Sequence, residues 1–247
     1  MQPILDIFKT YFEIHIANTS QQLEKIFRLR YDVFCTEFQF EKEEDCPNAL
    51  EQDLYDPFSI EALLYHPNDG KIAGCVRLIL PVNTCPPLPV ENFCHQGLCP
   101  EQKNAYAEVS RLTIAKDFRR RLWDGHLPSG VSDNPAQIGV IGRNFPLPAV
   151  SMMFTGASLC RLLLLDYVYA MMEPKLAHAM TAYGIEFQQI GDVHDYHGQR
   201  APYRLDPLLI WETVQPELYP LLNFIYFKVS QREAIPVSAQ YKKIQTG

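Results

Sequence analysis

Hydrophobic and polar residues follow recognisable periods over most of this chain. Alternation from Tyr11 to Ile16 predicts a first strand. Thr19, with Gln22 three residues later, has the spacing of a capping box. Leu23, Ile26, Phe27, Tyr31, Phe34 and Phe38 follow at helical spacing, which predicts a helix from about 20 to 38. The acidic stretch Glu41 to Asp56 has no period and reads as a loop. Ser59 to Tyr65 and Lys71 to Leu80 read as two strands joined by the turn Pro67-Asn68-Asp69-Gly70. Pro81 to Pro100 is an irregular excursion. Tyr106 to Ile114 reads as a strand with Glu108, Ser110 and Leu112 on one face. No core pattern runs from 116 to 148, an unusually long loop or insertion. Beyond it come a helix from about 148 to 164, a strand from Asp166 to Met172, and a helix from Pro174 to Tyr183 ended by Gly184. Glu186 to Ile190 and Leu208 to Val214 read as strands, and Pro220 to Val229 fits helix and strand equally.

This order predicts an α/β architecture, an α+β mixed sheet with helices on both faces, in a single domain over residues 1–247. Composition narrows the class. With 47% hydrophobic and 21% charged residues the chain has the means to bury a core and is not a disordered one. A formal net charge of -7 gives no support to a large nucleic-acid footprint. The greasiest run, Leu162 to Leu165, is flanked by Arg161 and Asp166 and is too short to span a bilayer. No basic-then-apolar leader opens the sequence. Cysteines at 35, 46, 75, 85, 94, 99 and 160 have neither an even count nor a compact spacing, so free thiols in a reducing, cytoplasmic setting are expected. Cys94, His95 and Cys99 are the single hint of a metal, and without a second close pair no metal is expected.

The polar residues that interrupt apolar elements carry the chemistry. A glutamate on a core-like strand costs free energy unless something pairs or uses it, which singles out Glu108. Three groups stand out: Arg30 with Phe34 and Phe40; Asp53 with Asp56; and Arg77 with Glu108, Ser110 and Arg111. Together they would give a general base, arginines able to hold a substrate carboxylate, and an acidic wall, as an amine substrate requires. The alternative is that the arginines pair structurally with Glu108 and Asp53. Ser110 lacks the Gly-x-Ser-x-Gly elbow of a hydrolase nucleophile, and no dinucleotide fingerprint or P-loop is present. Arg119-Arg120-Arg121 is either a solvated loop or a dock for an acidic carrier or a phosphate.

These residues, in this order, resemble the acyl-homoserine-lactone synthase branch of the GNAT-like acyltransferases. They resemble more closely the long-chain N-acyl amino acid synthases and the PEP-CTERM/exosortase-associated acyltransferases. The pattern is met by Arg30, Phe34 and Phe40, by Asp53 and Asp56, by Gly74-Cys75-Val76-Arg77, and by Glu108-Val109-Ser110-Arg111. Tyr169 to Pro174, Gly184 and Asp195 to Arg200 match the PEP-CTERM-associated group. The resemblance spans roughly residues 10 to 212. It implies a GNAT-like fold with a central twisted, mostly antiparallel sheet, and transfer of a fatty acyl group from an acyl carrier protein or acyl-CoA to the amine of an amino acid or related molecule. It assigns Glu108, Ser110 and Arg111 to catalysis, with Glu108 as base, and Arg30, Phe34, Phe40, Asp53, Asp56 and Arg77 to substrate binding. It implies no tightly bound cofactor. The thioester would lie in a V-shaped gap between the Glu108 strand and the strand near 166 to 172. The acyl chain would run along the helix from 148 to 164, past Met152, Met153, Met171 and Met172. Lactone synthases usually carry tryptophan where Phe40 stands, which argues against their substrate, S-adenosylmethionine. The GNAT pyrophosphate loop is not legible after Ile114, which favours a carrier-protein donor. A lactone synthase and a non-catalytic module that binds acyl groups or carriers are the alternatives.

Overall fold

A computed structural model describes residues 4–82, 84–94, 98, 106–119 and 146–231. The chain opens with α1 (Ile4–Tyr11), β1 (Glu13–Ile16) and α2 (Ser20–Tyr31), and continues with β2 (Ser59–His66), β3 (Lys71–Ile79) and β4 (Tyr106–Ile114). It then runs through α3 (Leu147–Leu162), β5 (Tyr167–Met172), α4 (Pro174–Thr181), β6 (Gln188–Gln189) and β7 (His194–Asp195), and closes with β8 (Gln199–Leu205), α5 (Ile210–Thr213) and α6 (Tyr219–Ser230).

The strands form one sheet in the order β1-β2-β3-β4-β5-β8-β6, with β7 paired to β8. β4 and β5 are parallel and the other pairs antiparallel. Period-two alternation divides the side chains between two layers. Leu63 and Cys75 pack with Ile26, Phe27 and Leu29 of α2. Their neighbours Ala62, Leu64 and Val76 face the larger core built on α3 and α6. The mixed sheet with helices on both faces is thus as expected. Among the described residues no helix is long and apolar enough to cross a membrane.

Local chemistry explains the boundaries. Thr19 caps α2 by accepting the Gln22 N–H at 3.2 Å, and the Gln22 side chain accepts the Asn18 N–H at 3.0 Å. The helix expected to reach 38 loses its α winding at Tyr31 and continues as a π-helical turn, Asp32–Glu37, whose Phe38 N–H bonds Val33 O. Gly184, at φ 79°, takes the left-handed conformation that ends α4; a Cβ there would lie 2.0 Å from Thr213 O.

One expectation needs correction, one open choice is resolved, and two elements are new. Leu208 to Val214 is not a strand: its apolar residues belong to a turn and the short helix α5, where Ile210 and Val214 enter the core. Pro220 to Val229 is helical, with Leu221, Leu222, Ile225 and Val229 buried. The strand β8 lies where none was expected, because Pro202 argues against a strand interior. It is tolerated opposite Met171, with Pro202 O accepting the Ile190 N–H. Helix α1 was also not foreseen. Most of the 116–148 insertion lies outside the described residues, which show a 3-10 turn at Lys116–Phe118 and then α3 from Leu147.

Candidate active site at the β4 bulge

β4 pairs with β3 along most of its length but with β5 over three rungs only, Tyr106↔Tyr167, Ala107↔Val168 and Glu108↔Tyr169. Past Glu108 no rung joins the two parallel strands, and a gap opens between Val109–Ile114 and Ala170–Met172. The other edge of β4 is irregular at the same place. Cys75 pairs with Thr113 and Arg77 with Ser110, so three steps on β4 oppose two on β3. This β-bulge falls at Arg111 and Leu112, with Arg111 at φ 49°. Strict alternation would send Arg111 away from Ser110. The bulge brings it to the same polar cluster.

That cluster is a charge network. Arg30 is fully buried and donates to Glu51 through Nε, to Asp56 at 2.7 Å and to Glu61 at 3.1 Å. Arg77, 1% exposed, donates to Asp53 at 2.6 and 2.9 Å, to Asp56 at 2.8 Å and, through Nε, to Ser110 Oγ at 2.9 Å. Arg111 donates to Glu51 at 2.9 Å and Glu41 at 3.2 Å, pairs with Asp53 at 3.1 Å, and lies over the Phe34 ring at 5.4 Å. The arginines expected to hold a substrate carboxylate are therefore committed to carboxylates of the protein, and Arg30 and Arg77 are too deeply buried to meet a ligand. Their partners are Asp53, Asp56, Glu41, Glu51 and Glu61, not Glu108.

The charges set the titration. Burial would raise the Asp53 carboxyl, but the bonds from Arg77 and the charge of Arg111 outweigh it and hold it at about 2. For Glu61 burial prevails over Arg30 and Arg77 and pushes it up to about 8. Glu108 is pushed up to about 8, again by burial first, against an N–H bond from Val90 at 3.0 Å and the charges of Arg77 and Arg111. A carboxyl that titrates there is suited to proton transfer near neutrality.

A cavity of about 370 Å³ runs through the gap. On the α3 side its walls are apolar: Val109, Met153, Ala157, Val168, Phe187 and Ile210. Its other end is polar, with Glu41, Ser110, Arg111, Glu173, His197 and Arg200. The β7–β8 turn closes over this mouth, with His197 Nδ1 2.9 Å from Phe40 O and Nε2 3.5 Å from Glu41. Phe40 stacks on Phe38 at 5.3 Å. Among the residues singled out from sequence, Phe34, Phe40, Ser110 and Arg111 line the cavity. Glu108 forms the last β4–β5 rung, opposite Tyr169, and does not line the cavity. Met153, Met171 and Met172 line it, and Met152 is core. Arg119 lines its edge, paired with Glu37 and over the Phe38 ring at 4.9 Å. Arg120 and Arg121 lie outside the described residues.

Sequence reasoning missed Glu41, Glu51 and Glu61. For Glu61 the signal was available: it interrupts Ser59-Ile60-Glu61-Ala62-Leu63-Leu64 as Glu108 interrupts its own strand. Glu173, His197 and Arg200 were seen as motif residues without a role.

Residues 29–127 match the family model described as acetyltransferase (GNAT) domain. No curated protein matches the chain in sequence. Solved structures share the fold. One is a CoA-dependent acyl-homoserine lactone synthase, BjaI, with SAM and isopentyl-CoA, at 16% identity and TM-score 0.57 over 96% of this chain and 99% of that one. Another is the CoA-dependent acyl-homoserine lactone synthase MesI, at 20% identity and TM-score 0.56 over 90% and 98%. A third is the AHL synthase LasI, at 17% identity and TM-score 0.55 over 83% and 98%. The GNAT match over residues 29–127, within a fold shared along most of the chain, supports an acyltransferase with a GNAT-like fold.

Proposed function

We propose that the chain is an N-acyltransferase that moves a fatty acyl group from an acyl carrier protein or acyl-CoA thioester to the amine of an amino acid or related small molecule. The observation that carries this reading is the cavity through the β4–β5 gap, apolar on the α3 side and polar at its mouth. An acyl chain would lie along α3, with its thioester carbonyl at the bulge. There, β4 N–H groups turned away from the β3 ladder would stabilise the developing oxyanion. The amine nitrogen attacks the carbonyl carbon, the carbon–sulfur bond breaks, and the thiol leaves. The proton lost by the amine passes to Glu108 through a water, since Glu108 does not line the cavity, and is then available to the departing thiolate. Holding both substrates in one site supplies much of the acceleration. The illegible pyrophosphate loop after Ile114 and the resemblance to the PEP-CTERM/exosortase-associated group favour a carrier-protein donor, and the free cysteines fit a cytoplasmic setting.

Purified protein given long-chain acyl carrier protein or acyl-CoA and a panel of amino acids should yield acyl-amides by mass spectrometry. Glu108→Gln should lower kcat by about 10²–10⁴-fold, and the rising limb of the wild-type pH profile, centred near the Glu108 value of about 8, should vanish with it. An undiminished rate in this variant would remove Glu108 as the base. BjaI, bound to SAM and isopentyl-CoA, motivates a second reading in which S-adenosylmethionine is the acceptor. Lactone formed only when that compound is supplied would favour it.

A further inference from the structure

Among the described residues the cavity has three arginines on its wall, Arg111, Arg119 and Arg200, and their partners differ. Arg111 is bonded to Glu41 and Glu51 and paired with Asp53, and Arg119 is paired with Glu37. Arg200 has no carboxylate within ion-pairing distance among the described residues, and its Nε is buried without a hydrogen-bond partner. Its guanidinium lies over the Phe40 ring at 5.5 Å, held by a residue that is itself bonded to the β7–β8 turn through His197. A planar cation that is half-buried, fixed on an aromatic face and short of acceptors is poised for a bidentate anion. The surroundings narrow which anion. Glu41 and Glu173 line the same mouth, so a doubly charged phosphate would be repelled by them. A zwitterion would not, because its ammonium offsets those carboxylates while its carboxylate meets the guanidinium.

We propose that Arg200 binds the α-carboxylate of the acceptor, with Glu173 facing its ammonium, so that the enzyme selects α-amino acids over amines that lack a carboxylate. This inference rests on the acyl-transfer reading above. It moves carboxylate recognition from Arg30 and Arg77, which the protein's own carboxylates occupy, to the β7–β8 hairpin.

The test compares two acceptors with one side chain, phenylalanine and phenethylamine, against one long-chain acyl thioester. Wild type should favour phenylalanine in kcat/KM by about 30-fold or more, the scale of a charge-assisted pair. Arg200→Gln should lower the phenylalanine value to that of phenethylamine, with an unchanged thermal unfolding midpoint as the control for an intact fold. Arg200→Lys keeps the charge but not the fork; it should fall between, and it carries the comparison if the glutamine variant does not fold. Equal use of both acceptors by wild type would overturn the inference while leaving acyl transfer standing. So would an Arg200→Gln defect confined to the KM of the thioester, which would assign the arginine to a donor phosphate. Acylation of neither amine, nor of any other offered, would overturn both.

Discussion

Five carboxylates (Glu41, Glu51, Asp53, Asp56 and Glu61) surround three guanidiniums (Arg30, Arg77 and Arg111), and this imbalance decides which acid keeps a proton. Glu61 is fully desolvated and bonded to a single arginine at 3.1 Å, with its second oxygen buried and unbonded, and it stays protonated to about 8. In the unfolded chain it titrates in the ordinary glutamate range. Between those values the native state holds the extra proton, so stability falls as pH rises through the window. Glu61→Gln cannot ionise and should flatten that fall: urea unfolding at pH 5.5 and 8.5 should give closer free energies than in wild type. A slope as steep as wild type would mean that Glu61 is charged in the fold. Asp53 acts in the opposite sense, its contribution present above the usual aspartate range and lost as pH falls toward 2. Arg30→Ala leaves Glu51, Asp56 and Glu61 without their shared cation and should cost about 3–5 kcal/mol of unfolding free energy. A loss below about 1 kcal/mol would show that the carboxylates relax by protonation. The sequence revealed that Asp53, Asp56, Arg77 and Glu108 were chemically unusual, because each breaks an apolar or turn pattern. It did not reveal which acid meets which arginine, since those pairs join residues 21 to 70 positions apart.

At the scale of elements, the bulge and the close approach of β3 to β4 set the site. Gly74 lies where a Cβ would come 2.7 Å from Thr113 O and 2.8 Å from Ile114 Cδ1, and the first of these is backbone in a paired strand. Gly74→Ala should therefore push β3 from β4 next to the bulge, with a loss of about 1–3 kcal/mol and a fall in turnover greater than stability alone explains. A variant as stable and active as wild type would show that the ladder absorbs the methyl group. On the opposite side, Ala157 of α3 faces the apolar end of the cavity. Ala157→Phe should shorten the acyl chain accepted, read as a shift of kcat/KM from long to short donors at unchanged acceptor KM; an unchanged chain-length profile would take α3 out of the acyl wall. Apolar content and period were a good guide to β2, β3, β4, α3 and β5, of which β2, β3 and α3 are buried along most of their length. It failed where tertiary partners overrode it: β8 keeps Pro202 because β5 and β6 pair around it, and the Leu208–Val214 run serves the core as a helix. The bulge was invisible to alternation, because a single extra residue leaves the pattern of types intact and changes only the face that Arg111 presents.

For the molecule as a whole, the layout favours direct transfer over a covalent relay. The gap between β4 and β5 joins an apolar lobe to a polar mouth, so the acyl chain and the acceptor can approach the same carbonyl from different ends of one cavity. An acyl-enzyme would need a nucleophile on that wall with a base beside it. No cysteine lines the cavity among the described residues, and burial pushes the thiols of Cys75 and Cys160 up to about 12. Ser110 lines it, but its oxygen accepts the Arg77 Nε–H and no histidine among the described residues lies within hydrogen-bonding reach of it. Both substrates should therefore be bound before the carbon–sulfur bond breaks. Initial rates measured over a grid of donor and acceptor concentrations should give intersecting double-reciprocal lines. Intact-mass analysis after incubation with donor alone should show unmodified protein. Parallel lines together with an acyl adduct would overturn direct transfer and reopen Ser110 as the nucleophile, a choice that Ser110→Ala would then decide by abolishing or sparing the adduct.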